Sequence, residues 1–212
     1  MTQVVSSSAQ QASRRPVDAF GHRRDELAES AMRTLGELGY ARTTLREIAA
    51  RSGCSHGVLH YYFPDKIDLI AHCVRLYKGR SIVRYERIAE QAVTAEGLVE
   101  EFITSMADIL CDETGAQRLW YDLRLESLFE PSFRDDVAAI DGALRDVVWR
   151  IVERYAVLSG RRVAVDAEAA YAIIDGVFLQ LLLQQAAGVE GLEWVLAERI
   201  RLLMPRLLAA VD

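Results

Sequence analysis

The 212-residue chain has three cysteines, Cys54, Cys73 and Cys111, and four prolines. An odd cysteine count with no Cys-x-x-Cys pair excludes a disulfide framework and a zinc ribbon, and it suits a reducing compartment. So few prolines, in a sequence rich in alanine and leucine, leave room for long helices. The first thirteen residues carry no basic residue and only Val4-Val5 as an apolar run, so no secretory leader is expected. The most apolar stretch, Ala169 to Leu183, is interrupted by Asp175 and Gln180 and falls short of the roughly 20 residues that cross a bilayer. No Gly-x-Ser-x-Gly, phosphate loop or Glu-x-x-His pair is present, so catalysis has no motif to rest on. No self-similarity at roughly 34 or 40 residues points to a solenoid. What remains is a soluble, cytoplasmic, globular chain, 51% hydrophobic and 26% charged, long enough for one large domain or two small ones.

Positive charge is also scarce overall. The net charge of -6 argues, taken alone, against a nucleic-acid partner. The sum conceals an asymmetry. From Arg14 to Ala89 there are fourteen Lys and Arg against nine Asp and Glu, whereas from Glu90 to Asp212 there are eleven against twenty-two. A basic front joined to an acidic back suggests a nucleic-acid module attached to something else; scattered surface charge is the plainer alternative.

The pattern is helical throughout. Residues 1–19, rich in Ser, Gln and Arg, read as a flexible arm. Leu27, Ala31, Leu35 and Leu38 then repeat at helical spacing from about His22, with Gly39 placed for a left-handed C-terminal cap. Thr44 with Glu47 makes a capping-box pattern opening a short helix whose apolar face is Leu45, Ile48 and Ala49 and which Ser52-Gly53 ends. Ser55 caps a second short helix to about Tyr61, and Pro64 stops it. Asp65 caps a long fourth helix through Ile67, Ile70, Ala71, Val74 and Tyr77 to Ala89. Further helices are expected over 95–112, 116–129, 132–158, 167–187 and 192–210. Arg162 to Val165 is too short and isolated to count as a strand. The fold class is all-α with about nine helices.

Two short helices joined by a glycine turn, with small Ala49 at the crossing and Leu59 wedging the second helix onto the first, meet the requirements of a helix-turn-helix; an ordinary helix pair in a bundle would look similar. On the residues Thr43-Thr44, Ile48-Ala49, Gly53-Cys54-Ser55, Gly57-Val58-Leu59-His60-Tyr61-Tyr62-Phe63 and Lys66, the chain resembles the DNA-binding signature of the TetR family of transcriptional regulators. The likeness covers about Arg23 to Ile70. It implies a homodimer that presents the helix from Ser55 to Tyr61 to the major groove of double-stranded operator DNA. His56, Gly57 and His60 would face base edges, with Gly57 letting the backbone come close. Thr44, Tyr61 and Lys66 would hold phosphate, Ser55 caps the helix, and Arg14, Arg15, Arg23 and Arg24 would reach phosphate or the neighbouring minor groove. The family usually has tyrosine where this chain has His60. His56 and His60 also share a helix face at metal-ligand spacing, with Cys54 and His72 as conceivable recruits, but no second ligand pair completes a site, so neither metal nor cofactor is expected.

The same resemblance implies a domain division into the arm 1–19, a DNA-binding unit 20–66, and an effector-binding and dimerisation unit 67–212 that begins with a connecting helix over 67–89. Ala169 to Leu183 is apolar on nearly every face, and Leu192, Trp194, Val195, Ile200, Leu203 and Leu207 give the last helix an apolar stripe, so the final two helices suit a two-fold interface; one larger monomeric core is the alternative. A small-molecule effector pocket is expected around Trp120, Tyr121, Arg124, Phe129, Trp149, Asp175 and Phe178. Asp175, inside an apolar run, requires a partner such as Arg124 or a polar ligand group. The segment Leu119 to Val137 resembles the choline-responsive branch of the family, which implies a cationic ligand held by ring faces, Asp122, Glu126 and Asp175. The rival readings are a helical enzyme and a helical small-molecule-binding protein that does not bind DNA.

Overall fold

The computed structural model describes residues 6–210, with side chains from Ala19 onward. Among the described residues nine α-helices follow in order: α1 Ser6–Leu38, α2 Leu45–Arg51, α3 His56–Tyr62, α4 Lys66–Gln91, α5 Ala95–Asp112, α6 Thr114–Glu126, α7 Arg134–Leu158, α8 Ala167–Ala186 and α9 Leu192–Leu203. The starts are set by side-chain caps. The hydroxyls or carboxylates of Thr44, Ser55, Asp65, Thr94 and Asp166 accept the amide three residues on, satisfying a donor that the first helical turn leaves free.

Three expectations are corrected. Helix α1 begins at Ser6 and not near His22, so residues 6–19 of the expected flexible arm are helical; residues 1–5 lie outside the described residues. Composition misled there because Ala and Gln are good helix formers even in a low-complexity stretch. The last helix stops at Leu203, because Pro205 has no amide to continue it; a 3-10 turn over Met204–Leu207 follows. After that turn, Leu208–Ala209 pairs antiparallel with Arg162–Val163, a two-residue ladder that only the returning C-terminus completes. Pairing over two residues leaves the all-α class intact.

Helix α8 spans 20 residues, longer than its apolar run suggested, and is the one helix among the described residues long and apolar enough to cross a membrane by length and composition. It packs on α7 and α9, burying Ile174, Phe178, Leu181 and Leu182.

Two apolar clusters organise the chain. One gathers Leu27, Ala31, Leu35, Ile48, Leu59, Phe63 and Leu69 of α1–α4 with Leu119, Trp120, Leu123, Phe133 and Ile140. The other joins α4, α5 and α7–α9 through Tyr85, Phe102, Met106, Val148, Ile174, Phe178 and Leu196. The first cluster does not end at residue 66: α6 and the start of α7 close it. Helices α4 and α7 run through both clusters and join them.

Candidate functional site

The α2–α3 pair forms a helix-turn-helix for local reasons. Gly53 takes φ +68 in the turn, a region costly for residues with a β-carbon, and Cys54 N–H donates to Ala49 O at 3.1 Å. Ile48, Ala49 and Leu59 point inward and are fully buried, which leaves the opposite side of α3 free. Ser55, His56, Gly57, His60 and Tyr61 are all exposed, and Tyr61 is 72% accessible. The His56 and His60 rings lie parallel, 5.9 Å between centroids, on that outer face. Tyr61 is held by edge contacts from Phe20 and Tyr62. A β-carbon on Gly57 would meet nothing nearer than Ser55 Oγ at 4.0 Å, so the fold itself does not require glycine there.

Thr44 is exposed at the start of α2, its hydroxyl accepting from Glu47 N–H at 3.2 Å. Lys66 is placed differently from the expected phosphate contact. Its ammonium donates to Tyr40 O at 2.9 Å and Thr43 O at 3.1 Å and sits 3.9 Å from the centre of the Tyr40 ring. Partial burial there holds its pKa below the usual lysine value. Lys66 thus clamps the α1–α2 turn. The cations that do stand free on this side are Arg42 and Arg46, for which no ion pair is formed among the described residues. Both were passed over in the sequence, although Arg46 falls outside the apolar face that Leu45, Ile48 and Ala49 make on α2. Arg23 pairs with Glu26, and Arg24 donates to both carboxylate oxygens of Asp68 at 2.6 Å; the side chains of Arg14 and Arg15 lie outside the described residues. Among the described residues no three His, Cys, Asp or Glu side chains converge on a point where a metal could sit.

A second feature lies between α4, α5, α6, α7 and α8: a cavity of about 50 Å³ lined by apolar and aromatic side chains, including Tyr85, Phe102, Met106, Val148, Ile174 and Phe178. Polar groups enter at Lys78, Ser81, Gln117, Tyr121 and Asp175. Of the expected pocket residues, Tyr121, Asp175 and Phe178 line it. Arg124 stands behind Asp175 and donates to its Oδ2 at 2.7 Å, while Tyr121 O–H donates to Oδ1 at 2.8 Å. Burial opposes charge on Arg124, but the hydrogen bond and the charge of Asp175 outweigh it and raise its pKa; burial and the same carboxylate hold the Tyr121 phenol protonated.

The other three fall elsewhere. Trp120 is 1% exposed in the first cluster, its ring 5.3 Å from Lys78 Nζ. Trp149 is half-buried against the second cluster and does not reach the cavity. Phe129 is 82% exposed, because α6 ends at Glu126 and the chain turns outward before it.

Lys78, Ser81 and Gln117 were not anticipated. Lys78 is buried on α4 and donates to Gln117 Oε1 at 2.8 Å; Gln117 in turn donates to Tyr77 Oη at 2.7 Å. Burial pushes the Lys78 ammonium down to about 7. A signal existed: Lys78 follows Val74 by four residues and Ser81 follows Tyr77 by four, which continues the apolar face of α4.

Helix α6 touches both features. Gln117 and Tyr121 face the cavity, while Asp122 Oδ2 accepts from Tyr40 N–H at 2.7 Å, the same residue whose carbonyl and ring hold Lys66. Farther up α6, Gly115 meets Gly36 of α1 backbone to backbone. A displacement of α6 at the cavity therefore bears directly on the elements that carry α3.

Residues 27–73 match the family model described as "Bacterial regulatory proteins, tetR family". The chain is 24% identical over 164 residues to the HTH-type transcriptional regulator PksA of Bacillus subtilis, covering 76% of this chain and 79% of that protein. Among solved structures it is similar to a TetR transcription regulator from Haloarcula marismortui, with a TM-score of 0.72 and 17% identity over 89% of this chain and 100% of that one. It is also similar to the transcriptional regulator FadR from Bacillus subtilis in complex with stearoyl-CoA, with a TM-score of 0.67 and 17% identity over 88% and 98% of the two chains. The helix-turn-helix, the helical body and these matches agree: residues 27–73 carry the DNA-binding domain of the bacterial tetR family of regulatory proteins, and the chain as a whole has the fold of the solved TetR regulators.

Proposed function

We propose that the chain is a ligand-responsive repressor that binds a near-palindromic operator as a homodimer and is released by a small molecule bound in the cavity between α4 and α8. The observation that carries the DNA-binding half of this reading is the outer face of α3, where Ser55, His56, Gly57, His60 and Tyr61 are exposed beside unpaired Arg42 and Arg46. His56, Gly57 and His60 face the base edges, and Thr44, Tyr61, Arg42 and Arg46 supply phosphate contacts around them. Its place of work is then where the DNA is, in the cytoplasm.

Two copies join through α8 and α9. Ile173, Leu183, Trp194 and Leu202 are large apolar side chains exposed on these helices, and a shallow groove between them is lined by Gly176, Val177, Leu202 and Leu203 together with Gln180 and Arg199. Joining these faces across a two-fold axis buries them and sets two α3 helices about one DNA turn, ~34 Å, apart. Trp194→Glu is expected to convert the dimer to monomer in sedimentation velocity and to lower operator affinity at least roughly tenfold, since a lone helix-turn-helix loses half its contacts. An unchanged sedimentation coefficient would move the interface elsewhere.

The effector acts through α6. FadR was crystallised with an acyl-CoA, and TetR regulators bind DNA and small-molecule ligands, which supports reading the cavity as the sensor. Ligand in the cavity favours an α6 position that shifts Tyr40, Lys66 and α1, and so changes the spacing of the two α3 helices. The shift requires the ligand to prefer one geometry; equal affinity for both would change nothing. Footprinting of the DNA upstream of the protein's own gene tests the reading: protection of two half-sites about 10 base pairs apart is expected, and uniform or absent protection would refute it.

A further inference from the structure

Resting on the reading of the cavity as the sensor, we infer that its ligand is a short-chain monocarboxylate, the anion held by Lys78 and Ser81 and the hydrocarbon tail by the surrounding apolar wall. Three observations lead there. The first is the unmatched polar capacity. Lys78 is 6% exposed and forms no ion pair with a carboxylate among the described residues; its one hydrogen-bond acceptor is Gln117 Oε1, so two of its three donors lack a hydrogen-bond acceptor. Ser81, one turn farther along α4, is 2% exposed, and its Oγ has no partner although it lines the same cavity. A buried ammonium and a buried hydroxyl on one face of one helix form a recess for an acceptor with negative charge.

The second observation is that the carboxylate which a cationic ligand would need is already satisfied. Both oxygens of Asp175 are engaged, by Tyr121 O–H and Arg124, and Arg124 also lies 3.4 Å from Asp141. A quaternary amine would displace none of these bonds and would enter beside Lys78. The third is size. About 50 Å³ holds roughly two or three heavy atoms, on the scale at which about 150 Å³ holds benzene, and Met106 can adjust for one or two more. That fits a short acid and not a long chain or a bulky cofactor.

The groups facing Lys78 settle the pH behaviour. Tyr77 and Tyr85 lie on its own helix, Gln117, Tyr121 and Arg124 come from α6, Glu113 precedes them, Asp141 belongs to α7, and Tyr171 and Asp175 to α8. The tyrosines stay neutral and Arg124 and Asp175 offset each other, so Lys78 is the group whose charge changes near neutrality. Burial brings the loss of its proton down to about 7. An anion favours the protonated form, so binding above that pH draws a proton from buffer. Affinity for a carboxylate is therefore level from pH 5.5 to about 7 and falls, by up to roughly tenfold per unit, above it.

Calorimetry on the full chain with acetate, acetamide and tetramethylammonium separates the possibilities. At pH 6.5 acetate is expected to bind, acetamide at least roughly tenfold more weakly, and tetramethylammonium not at all. Lys78→Met should weaken acetate by roughly tenfold or more, and Ser81→Ala, a milder change if the first variant folds poorly, by several-fold. At pH 8 the heat for the unmodified protein should differ between phosphate and Tris buffers in proportion to their ionisation enthalpies. Acetate heat independent of buffer at pH 8, acetate and acetamide binding equally, or no acetate binding overturns the assignment. If acetamide or tetramethylammonium binds instead and releases operator DNA, the regulator reading stands while the carboxylate fails; if operator DNA is never bound, the regulator reading fails whatever the calorimetry gives.

Discussion

Gly57→Gln is expected to abolish specific operator binding while leaving the protein slightly more stable. Gly57 lies inside α3 with open space where a β-carbon would stand, so the fold gains rather than loses from a side chain there. Replacing a helical glycine by a good helix former stabilises by about 0.5–1 kcal/mol. The DNA-facing consequence is opposite. A side chain of five heavy atoms added on the recognition face holds α3 off the groove floor, and displaced contacts at about 1–3 kcal/mol per base pair lower specific affinity by roughly 100-fold or more. Glutamine is neutral, so repulsion from phosphate cannot account for the loss. Thermal denaturation and operator titration read the two effects separately. Retained operator affinity in a stable variant would mean that another surface meets the DNA.

Gly36→Ala is expected to be the most damaging single methyl group in the protein. A β-carbon on Gly36 would lie 2.8 Å from both Cα and the carbonyl carbon of Gly115 and 3.0 Å from its oxygen. Every one of these atoms is backbone, so no side chain can swing aside and α1 must part from α6. Overpacking of this kind costs about 1–3 kcal/mol, against at most about 1 kcal/mol regained from helix propensity. The reciprocal substitution is milder: a β-carbon on Gly115 would meet Gly36 at 3.3 Å and beyond, a tight contact that small adjustments relieve. The expected order of melting temperature is therefore Gly36→Ala lowest, with Gly115→Ala close to the unmodified protein. Because this contact joins the helix that carries Gln117 and Asp122 to the one that buttresses α2, Gly36→Ala should also reduce effector-dependent release of DNA. Equal melting temperatures for the two variants would show that α1 and α6 do not approach as closely as the geometry requires.

The DNA-binding unit was largely legible in the sequence because local chemistry determines it. Thr44, Ser55 and Asp65 cap where the pattern places them, Gly53 takes the left-handed turn, and Leu59 goes inward. Those choices involve residues close in sequence, where hydrogen-bond spacing and periodicity suffice. Lys66 shows the limit. Its position matched the motif, yet its partners, Tyr40 O and Thr43 O, lie 26 and 23 residues away, and only the folded turn brings them within reach. The pairing of Asp175 with Arg124 was foreseeable because a carboxylate in an apolar run must be satisfied. Phe129 and Trp149 were not separable from Phe178 by pattern, since large apolar residues carry no mark of which side of a helix end they occupy. Lys78 was overlooked for the opposite reason: a lysine reads as a surface residue, and its burial follows from α1, α5, α6 and α7 packing around α4. Pro205 could have ended the last helix on inspection, because a proline amide cannot continue the ladder.

On the proposed function, the outer face of α3 binds a specific duplex and the acidic body does not. Fluorescence anisotropy of a labelled duplex from upstream of the gene, titrated with the full chain at 50 and 200 mM salt alongside a scrambled duplex, tests this most directly. Saturable binding is expected at both salts, with a preference of at least roughly 1000-fold for the upstream duplex and a steep loss of affinity as salt rises, in proportion to the phosphates that Arg42, Arg46 and their neighbours neutralise. Equal affinity for the two duplexes, or no binding at 50 mM salt, would contradict it.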